Sequence, residues 1–265
     1  MKQLVLCREP DEKGRVALRG GDYRYLVRVR RLAPGEFFPA VLPDGSRVRV
    51  RVSSVGGSEL VGEVARDEAA ASDAPGAPGI APIILFQAIP KGEKMDVVVR
   101  QAAEGALAEV VPFESEFSDV RISGRGERKH ARWERIAREA RQQSGSAVAT
   151  AVRAPMTADG LFDYWGEIRA ERPGVAGLLF HHLPLADAGL EKISLHGYLD
   201  ADPEAVVLAI GPEGGFSPAE AGRFLSAGFR PFTIGDTILR TETAALYAQA
   251  AVRMLLLERD SWKTK

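Results

Sequence analysis

Two strand-to-loop-to-helix passages follow each other between Ile210 and Ala244. The first begins with the apolar run at 205–210 and continues into the loop G-P-E-G-G at 211–215. A continuous, β-branched run of this kind is typical of a strand in a parallel sheet that is covered on both faces. Three glycines in five residues let the backbone turn tightly or lie against a ligand. The stretch predicts an α/β fold with a glycine loop at the end of a buried strand.

A complete helix start follows this loop. Ser217 is predicted as the N-cap, Pro218 as the first helical residue, and Glu220 as the partner that closes a capping box. Gly228 is predicted to end the helix.

The second passage repeats this scheme. A short strand is predicted at 231–234, a turn at Gly235, and a long helix from about Thr241 that is apolar on more than one face and therefore buried on several sides. Because ligands of open α/β sheets bind at the carboxyl ends of strands, the two loops predict a binding site. A role for the glycines in turning the chain alone is the alternative. The loops match neither the dinucleotide nor the P-loop spacing.

The blocks I-G-P-E-G-G-F-S at 210–217 and G-D-T-I-L-R-T-E-T-A at 235–244 resemble the signature of the bacterial 16S rRNA (uridine-N3) methyltransferases, a branch of the SPOUT superfamily. The segments at 91–96 and 132–144 extend the similarity to most of 80–260. The resemblance implies a parallel sheet with a trefoil-knotted carboxyl end, S-adenosylmethionine as the methyl donor, and a homodimer that acts on 16S rRNA.

A methyl donor of this type needs close backbone approach to its methionine part, and apolar walls and backbone hydrogen bonds around its adenine. The two loops and their surroundings supply these features. The predicted cofactor-binding residues are Leu179, His182, Ile210, Gly211, Gly214, Gly215, Ile234, Gly235, Ile238, Leu239 and Thr243.

Arg240 is the first candidate for catalysis. Uridine N3 must lose a proton before it accepts a methyl group, and a guanidinium beside the flanking carbonyl oxygens stabilises the resulting anion. Glu213 or Glu242 is predicted to take the proton or to orient the base. Capping of a helix N-terminus explains an acid and threonines here, but it does not explain Arg240, a cation that the helix dipole disfavours.

The first 70 residues are predicted to form a small β-barrel. Apolar and basic residues alternate at 25–30 and 47–52, which is the period of half-buried strands. Several short strands without a convincing helix favour a barrel, and the resemblance implies a PUA-like RNA-binding domain here. The stretch 71–82, rich in Ala, Pro and Gly, is predicted as a linker, and 83–265 as the methyltransferase domain.

Between Arg19 and Arg51 there are eight arginines, three acids and no lysine. A solvated outer face is the ordinary explanation. Arginine used without lysine favours phosphate contact, because the guanidinium pairs with phosphate through two hydrogen bonds. The predicted RNA-binding residues are Arg24, Arg28, Arg30, Arg31, Arg47, Arg49 and Arg51. The basic helix predicted at 126–143 is a possible second patch.

Composition limits the other possibilities. A net charge of −1 means that RNA affinity must come from local patches. The single cysteine, Cys7, allows no internal disulfide and fits a reducing cytoplasm. No signal peptide or apolar run long enough to cross a membrane is visible. The pair His181-His182 has no acidic or cysteine partners nearby, and we expect no metal site.

Gln101, Phe117 and Ser146 stand where the family usually has other residues. These departures keep two alternatives open: an RNA-binding or ribosome-assembly factor that keeps the fold without catalysis, and a SPOUT methyltransferase that acts on a different RNA base. A nucleotide-dependent enzyme of the doubly wound type is disfavoured by the absence of phosphate-binding motifs.

Overall fold

The computed structural model describes residues 4–6, 8–43, 46–65, 80–118, 126–180, 194–235 and 237–263. The chain divides into two compact units: Met1–Ala77 with Arg138–Ala149, and Pro78–Ala137 with Thr150–Lys265. All but the last three residues of the predicted linker at 71–82 lie outside the described residues. The domain limits drawn from the sequence therefore stay a prediction.

The first unit contains a curled five-stranded sheet. Its strands are β1 (Leu4–Val5), β2 (Arg15–Arg19), β3 (Phe37–Val41), β4 (Arg47–Val55) and β5 (Glu59–Ala65), in the order β1-β3-β4-β5-β2. All neighbouring strands are antiparallel except β1 and β3, which are parallel. The sheet buries one face around Phe38, Val50 and Leu60. This arrangement agrees with the predicted small barrel.

The prediction of a strand at 25–30 is wrong. The chain instead forms helix α1 (Gly20–Tyr23), which continues as a π-helical turn over Arg24–Val29. Tyr23 and Leu26 are buried three residues apart, while Val29 is 71% exposed. A helical face is therefore buried here rather than alternate residues, and the alternation of residue types was misleading.

The prediction of a strand beginning at Arg47 is confirmed by β4. Val48, Val50 and Val52 point into the core, whereas Arg49 and Arg51 are exposed. The alternation of valine and arginine thus has the period expected of a half-buried strand.

The second unit is a six-stranded parallel sheet with helices between its strands. In chain order its elements are β6 (Ile83–Ala88), α2 (Lys94–Glu104), β7 (Glu109–Phe113), α3 (Gly126–Ser144), β8 (Ala151–Val152), α4 (Ala158–Glu171), β9 (Ala176–Phe180), α5 (Leu195–Leu199), β10 (Val206–Ile210), α6 (Pro218–Ser226), β11 (Arg230–Phe232) and α7 (Thr241–Lys263). The sheet order is β11-β9-β10-β6-β7-β8, and the last turns of α3 belong to the first unit. The predicted parallel α/β fold is confirmed.

Aromatic side chains fill the core beside this sheet. Phe216, the residue that follows the glycine loop, stacks on Phe113 of β7 with ring centroids 6.3 Å apart, and Phe224 of α6 packs against both rings. Burial of such rings is the main source of packing energy in a core. The glycine loop is therefore anchored at its far end in the aromatic core of the unit.

Helix α7 is only partly covered. Ala245, Ala248 and Val252 are buried, as predicted for an apolar helix. Leu246, Tyr247, Met254 and Leu257 are exposed. In the described part of the chain, none of the helices combines the length and the apolar character that a membrane span requires.

Candidate active site

Three loops meet at one edge of the parallel sheet. They follow β6 (89–93), β7 (114–118) and β10 (211–217), and β6 lies between the other two strands. Because the strands are parallel, their carboxyl ends lie on the same side.

Each glycine of the loop after β10 occupies a position where a side chain would be strained or would clash. Gly215 has a φ of 72°, in the left-handed region. A Cβ on Gly211 would lie 3.1 Å from backbone atoms of Gly215, and one on Gly214 would lie 3.2 Å from the Cβ of Phe117. The loop is thus tightly folded, and larger residues would force it open.

Glu213 joins this loop to the loop after β6. Its carboxylate accepts hydrogen bonds from the Lys91 backbone N–H at 3.1 Å and from the Lys94 Nζ at 2.5 Å. Burial raises the pKa of Glu213, but the hydrogen bonds from Lys94, from its own backbone and from Lys91 outweigh burial and lower that pKa. The carboxylate therefore stays ionised and binds a proton weakly.

Glu220 fastens the other side of the loop. The predicted capping box is confirmed: Ser217 accepts from the Glu220 N–H, and the Glu220 carboxylate accepts from the Ser217 N–H at 3.1 Å. The same carboxylate accepts from the Ser115 hydroxyl at 3.1 Å and the Glu116 N–H at 2.8 Å. One buried side chain thus holds the start of α6 and the loop after β7 together, a link that the sequence pattern did not indicate.

Gln87 and Thr241 tie the loop to the start of α7. The Thr241 hydroxyl donates to the Gly211 carbonyl at 2.6 Å, and the Gln87 amide donates to Thr241 Oγ1 at 3.0 Å. Gln87 is fully buried, and its Oε1 has no hydrogen-bond partner within the described residues. Sequence reasoning missed Gln87, although a single polar residue near the end of the apolar strand I-I-L-F-Q-A was a usable signal.

The loop between β11 and α7, called the second loop below, is more open than the glycine loop after β10. Gly235 has a φ of 73°, and no atom lies within 4 Å of the place where its Cβ would be. Ile234 and Leu239 are half-buried, while Ile238 is 77% exposed. Such an exposed apolar side chain, in the same loop as a glycine with open space around it, is suited to line a binding site and to be covered by a ligand.

Arg240 is exposed just before α7 begins, and its carbonyl accepts the first helical hydrogen bond, from Ala244. Glu242 lies in the first turn of α7, where one of its carboxylate oxygens is buried without a hydrogen-bond partner among the described residues. Thr243 is half-buried next to it.

The remaining predicted cofactor-binding residues are either buried or outside the described part of the structure. Leu179 is fully buried in the apolar core of β9, and Ile210 is the buried last residue of β10. His182 lies outside the described residues, as does Asp236 of the second loop. Their contact with a cofactor stays a prediction. Within the described ranges, no cluster of three or more His, Cys, Asp or Glu side chains suitable for a metal ion is present.

The arginines predicted to bind RNA fall into two groups in the first unit. Arg24 and Arg28 lie in the π-helical turn with Arg30 and Arg31 directly after it, whereas Arg47, Arg49 and Arg51 lie on β4. The Arg49 guanidinium lies over the exposed ring of Phe37, 4.8 Å from its centroid. The Arg47 side chain is outside the described part of the structure.

A parallel sheet with glycine loops at the carboxyl ends of its strands is typical of ligand-binding α/β domains. Comparison with known sequences shows to which family of such domains the chain belongs. The chain belongs to the RNA methyltransferase domain family, whose model matches residues 78–253. Several relatives that align over nearly the whole chain are proteins named ribosomal RNA small subunit methyltransferase E. The protein of this name from Synechocystis sp. is 30% identical over 258 residues, which cover 96% of this chain and 78% of the relative. The one from Mycobacterium tuberculosis is 28% identical over 94% of this chain and 90% of its own length.

A solved structure agrees with these matches. The ribosomal RNA small subunit methyltransferase E from Neisseria gonorrhoeae, bound to S-adenosyl methionine, superimposes with a TM-score of 0.75. It is 25% identical, and the match covers 96% of this chain and 98% of that one. The resemblance drawn from the two motif blocks is confirmed.

Proposed function

We propose that this protein transfers a methyl group from S-adenosylmethionine to N3 of a uridine in 16S rRNA. The observation that carries the proposal is the glycine loop at 211–215, held by Glu213, Glu220 and Thr241 in a chain of the RNA methyltransferase domain family. A loop fixed by three separate elements is pre-organised for a ligand, because little conformational entropy is left to lose on binding.

The residues present fit the methyl donor. The second loop offers a glycine with open space beside it, and the side chains of Ile234, Ile238 and Leu239 provide apolar surface for an adenine. The first loop offers backbone groups at Gly211, Gly214 and Gly215 for the methionine part. When bound, the donor supplies an electrophilic methyl group on a sulfonium.

Arg240 and Glu242 are the residues we assign to the acceptor side. Arg240 would place positive charge beside the uridine carbonyl oxygens and stabilise the anion left when N3 loses its proton. Glu242, which lies in the first turn of α7 two residues after Arg240, would accept that proton or orient the base. Glu213, whose pKa is lowered by its partners, is assigned to holding the two loops together.

The same proposal includes three structural expectations. A homodimer would bury Leu246, Tyr247, Met254 and Leu257, a row of exposed apolar side chains on α7. The carboxyl end of the second unit would form a trefoil knot, as the family resemblance implies. The first unit would be a PUA-like barrel whose arginines contact rRNA phosphates.

Nucleoside mass spectrometry tests the function. Unmodified small-subunit particles and naked 16S rRNA are each incubated with the protein and isotopically labelled donor, and N3-methyluridine is expected in one of them. Label in another base or another RNA would point to a different SPOUT substrate. Donor or RNA binding without transfer would point to an assembly factor.

A further inference from the structure

Phe117 presents an exposed aromatic ring at the edge of the site. It is 47% exposed, although Ser115 and Ser118 on either side of it are buried. Among the Phe, Tyr and Trp residues of the second unit whose side-chain burial is described, only Phe117 and Tyr247 are exposed, and Tyr247 lies on α7. An exposed ring next to a ligand loop calls for a partner that covers it.

The backbone turn that carries the ring is held in place by hydrogen bonds. The Ser115 N–H donates to the Ser118 hydroxyl at 3.2 Å, and the Ser118 N–H donates back to the Ser115 carbonyl at 3.0 Å. The Ser118 hydroxyl donates to the Ile89 carbonyl at 3.1 Å, and Glu220 binds both Ser115 and Glu116. Because the turn is fixed by buried hydrogen bonds, the backbone position from which the exposed ring projects is pre-organised.

The ring also adjoins the first glycine loop. A Cβ on Gly214 would lie 3.2 Å from the Phe117 Cβ and 3.6 Å from its Cγ and Cδ2. This close approach places the aromatic side chain directly beside the loop that is proposed to hold the methyl donor.

An unpaired base suits this position. A base that is methylated on a ring nitrogen used in pairing must leave the helical stack, and aromatic side chains commonly replace the lost stacking. In the described part of its loop, 114–118, Phe117 is the single large apolar side chain that is exposed, and it follows the exposed acid Glu116. A protein-docking patch would need several contiguous apolar residues, whereas one flat ring is enough for a base.

We therefore propose that Phe117 stacks on an unpaired base of the RNA substrate at the entrance to the glycine-loop site. This inference rests on the proposed function, since it needs an RNA substrate at that edge of the sheet. It adds a substrate-binding residue that touches neither the donor nor the proton transfer.

Three substitutions separate stacking from other roles. Phe117→Ala removes the ring, Phe117→Leu keeps apolar bulk without a π-face, and Phe117→Trp keeps the π-face. We expect Ala and Leu to weaken RNA binding by about 5-fold to 150-fold, the range for loss of one base–aromatic stack, and Trp to retain the affinity. In the Ala and Leu variants the KM for RNA should rise, while the Kd for the donor stays unchanged.

A fluorescent base gives a direct readout. RNA carrying 2-aminopurine at or next to the methylated nucleotide should lose fluorescence on binding the wild type and Phe117→Trp, but not on binding Phe117→Ala. The proposal is overturned if Ala or Leu binds RNA as the wild type does, or if Ala converts a dimer to a monomer. Failure of the wild type to methylate any RNA would instead overturn the proposed function, and the stacking role with it.

Discussion

The Glu213 carboxylate and the Lys94 ammonium, 119 residues apart in the chain, form an ion pair of 2.5 Å that joins the glycine loop to the start of α2. The same carboxylate also accepts the backbone N–H of Lys91. Glu213 was predicted as a possible proton acceptor, and that role stays a prediction, but the partners that lower its pKa make it a weaker base. Its geometry is that of a clamp between two loops.

Breaking this clamp is expected to loosen the site. Glu213→Gln removes the charge with almost no change of shape, and Lys94→Met removes the other partner. Each variant should weaken donor binding severalfold while costing at most about 1 kcal/mol of stability, because the pair is partly solvent-exposed. Isothermal titration of the donor and urea unfolding measure the two effects. The double variant should bind no more weakly than either single variant, and additive losses would show that the two residues act separately.

The pH dependence of this clamp has a definite sign. The folded-state pKa of Glu213 is lowered below its ordinary value of 4.5. Its contribution to stability is therefore complete above pH 4.5 and is lost as the pH falls through the folded-state pKa. Urea unfolding of the wild type and Glu213→Gln should show a difference in unfolding free energy that narrows as the pH falls below 4.5. A gap that widens on acidification would contradict the assignment.

Glycine substitutions separate loop geometry from general stability. Gly215→Ala places a side chain at positive φ, at a cost of about 1–2 kcal/mol, and Gly211→Ala forces its Cβ against Gly215. Both should reduce donor affinity by roughly tenfold or more. Gly222→Ala is the matched control: it lies in α6, nothing lies within 4 Å of its Cβ position, and alanine favours the helix. It should keep donor affinity and raise the melting temperature. Equal donor affinity in all three variants would contradict a role of this loop in binding.

The helix start of α6 was predictable because its signal is local: Ser217, Pro218 and Glu220 lie within four consecutive positions and form the capping box that was expected. The turn at 20–29 was not, because apolar residues at 25, 27 and 29 alternate in sequence while burial follows Tyr23 and Leu26. Local pattern and tertiary burial disagree there, and burial decides the structure.

The links that assemble the site could not be read from the sequence for a different reason. Glu220 binds residues about 105 positions earlier, and Gln87 reaches Thr241 across 154 positions. Such contacts depend on which strands become neighbours in the sheet. Periodicity indicates that a strand is buried, but it does not indicate which strand lies next to it.

Gln87 and Thr241 provide a test of these long-range links. Thr241→Val leaves the Gly211 carbonyl and the Gln87 amide with fewer partners in a buried place, and should cost about 1–3 kcal/mol. Gln87→Leu removes a buried group whose oxygen already lacks a partner among the described residues, and leaves the bond from Thr241 to Gly211 intact. It should be nearly neutral for unfolding in urea. A larger loss for Gln87→Leu than for Thr241→Val would contradict this order of importance.

Arg240 is expected to act in the chemical step. Arg240→Ala should lower the single-turnover rate of methyl transfer by about 100-fold to 1000-fold, the effect of removing one group that stabilises an oxyanion. Donor affinity should stay within about twofold, a change below 0.5 kcal/mol, because Arg240 is assigned to the acceptor and not to the donor. Arg169→Ala, which removes an exposed arginine on α4, controls for loss of positive charge. An unchanged rate in Arg240→Ala with normal RNA binding would show that another residue stabilises the anion.

Arg49 and Arg51 should reveal whether the first unit binds RNA through phosphates. Each replaced phosphate contact lowers the slope of log K against log salt by about 1, so Arg49→Ala with Arg51→Ala should lower it by about 2 and weaken binding most at low salt. Arg49→Lys keeps the charge but loses the planar group that lies over Phe37, and should keep the salt dependence with a smaller loss of affinity. Filter binding at several salt concentrations measures both quantities. If the double alanine variant has the same slope as the wild type, these arginines form a solvated outer face and the RNA contacts lie elsewhere.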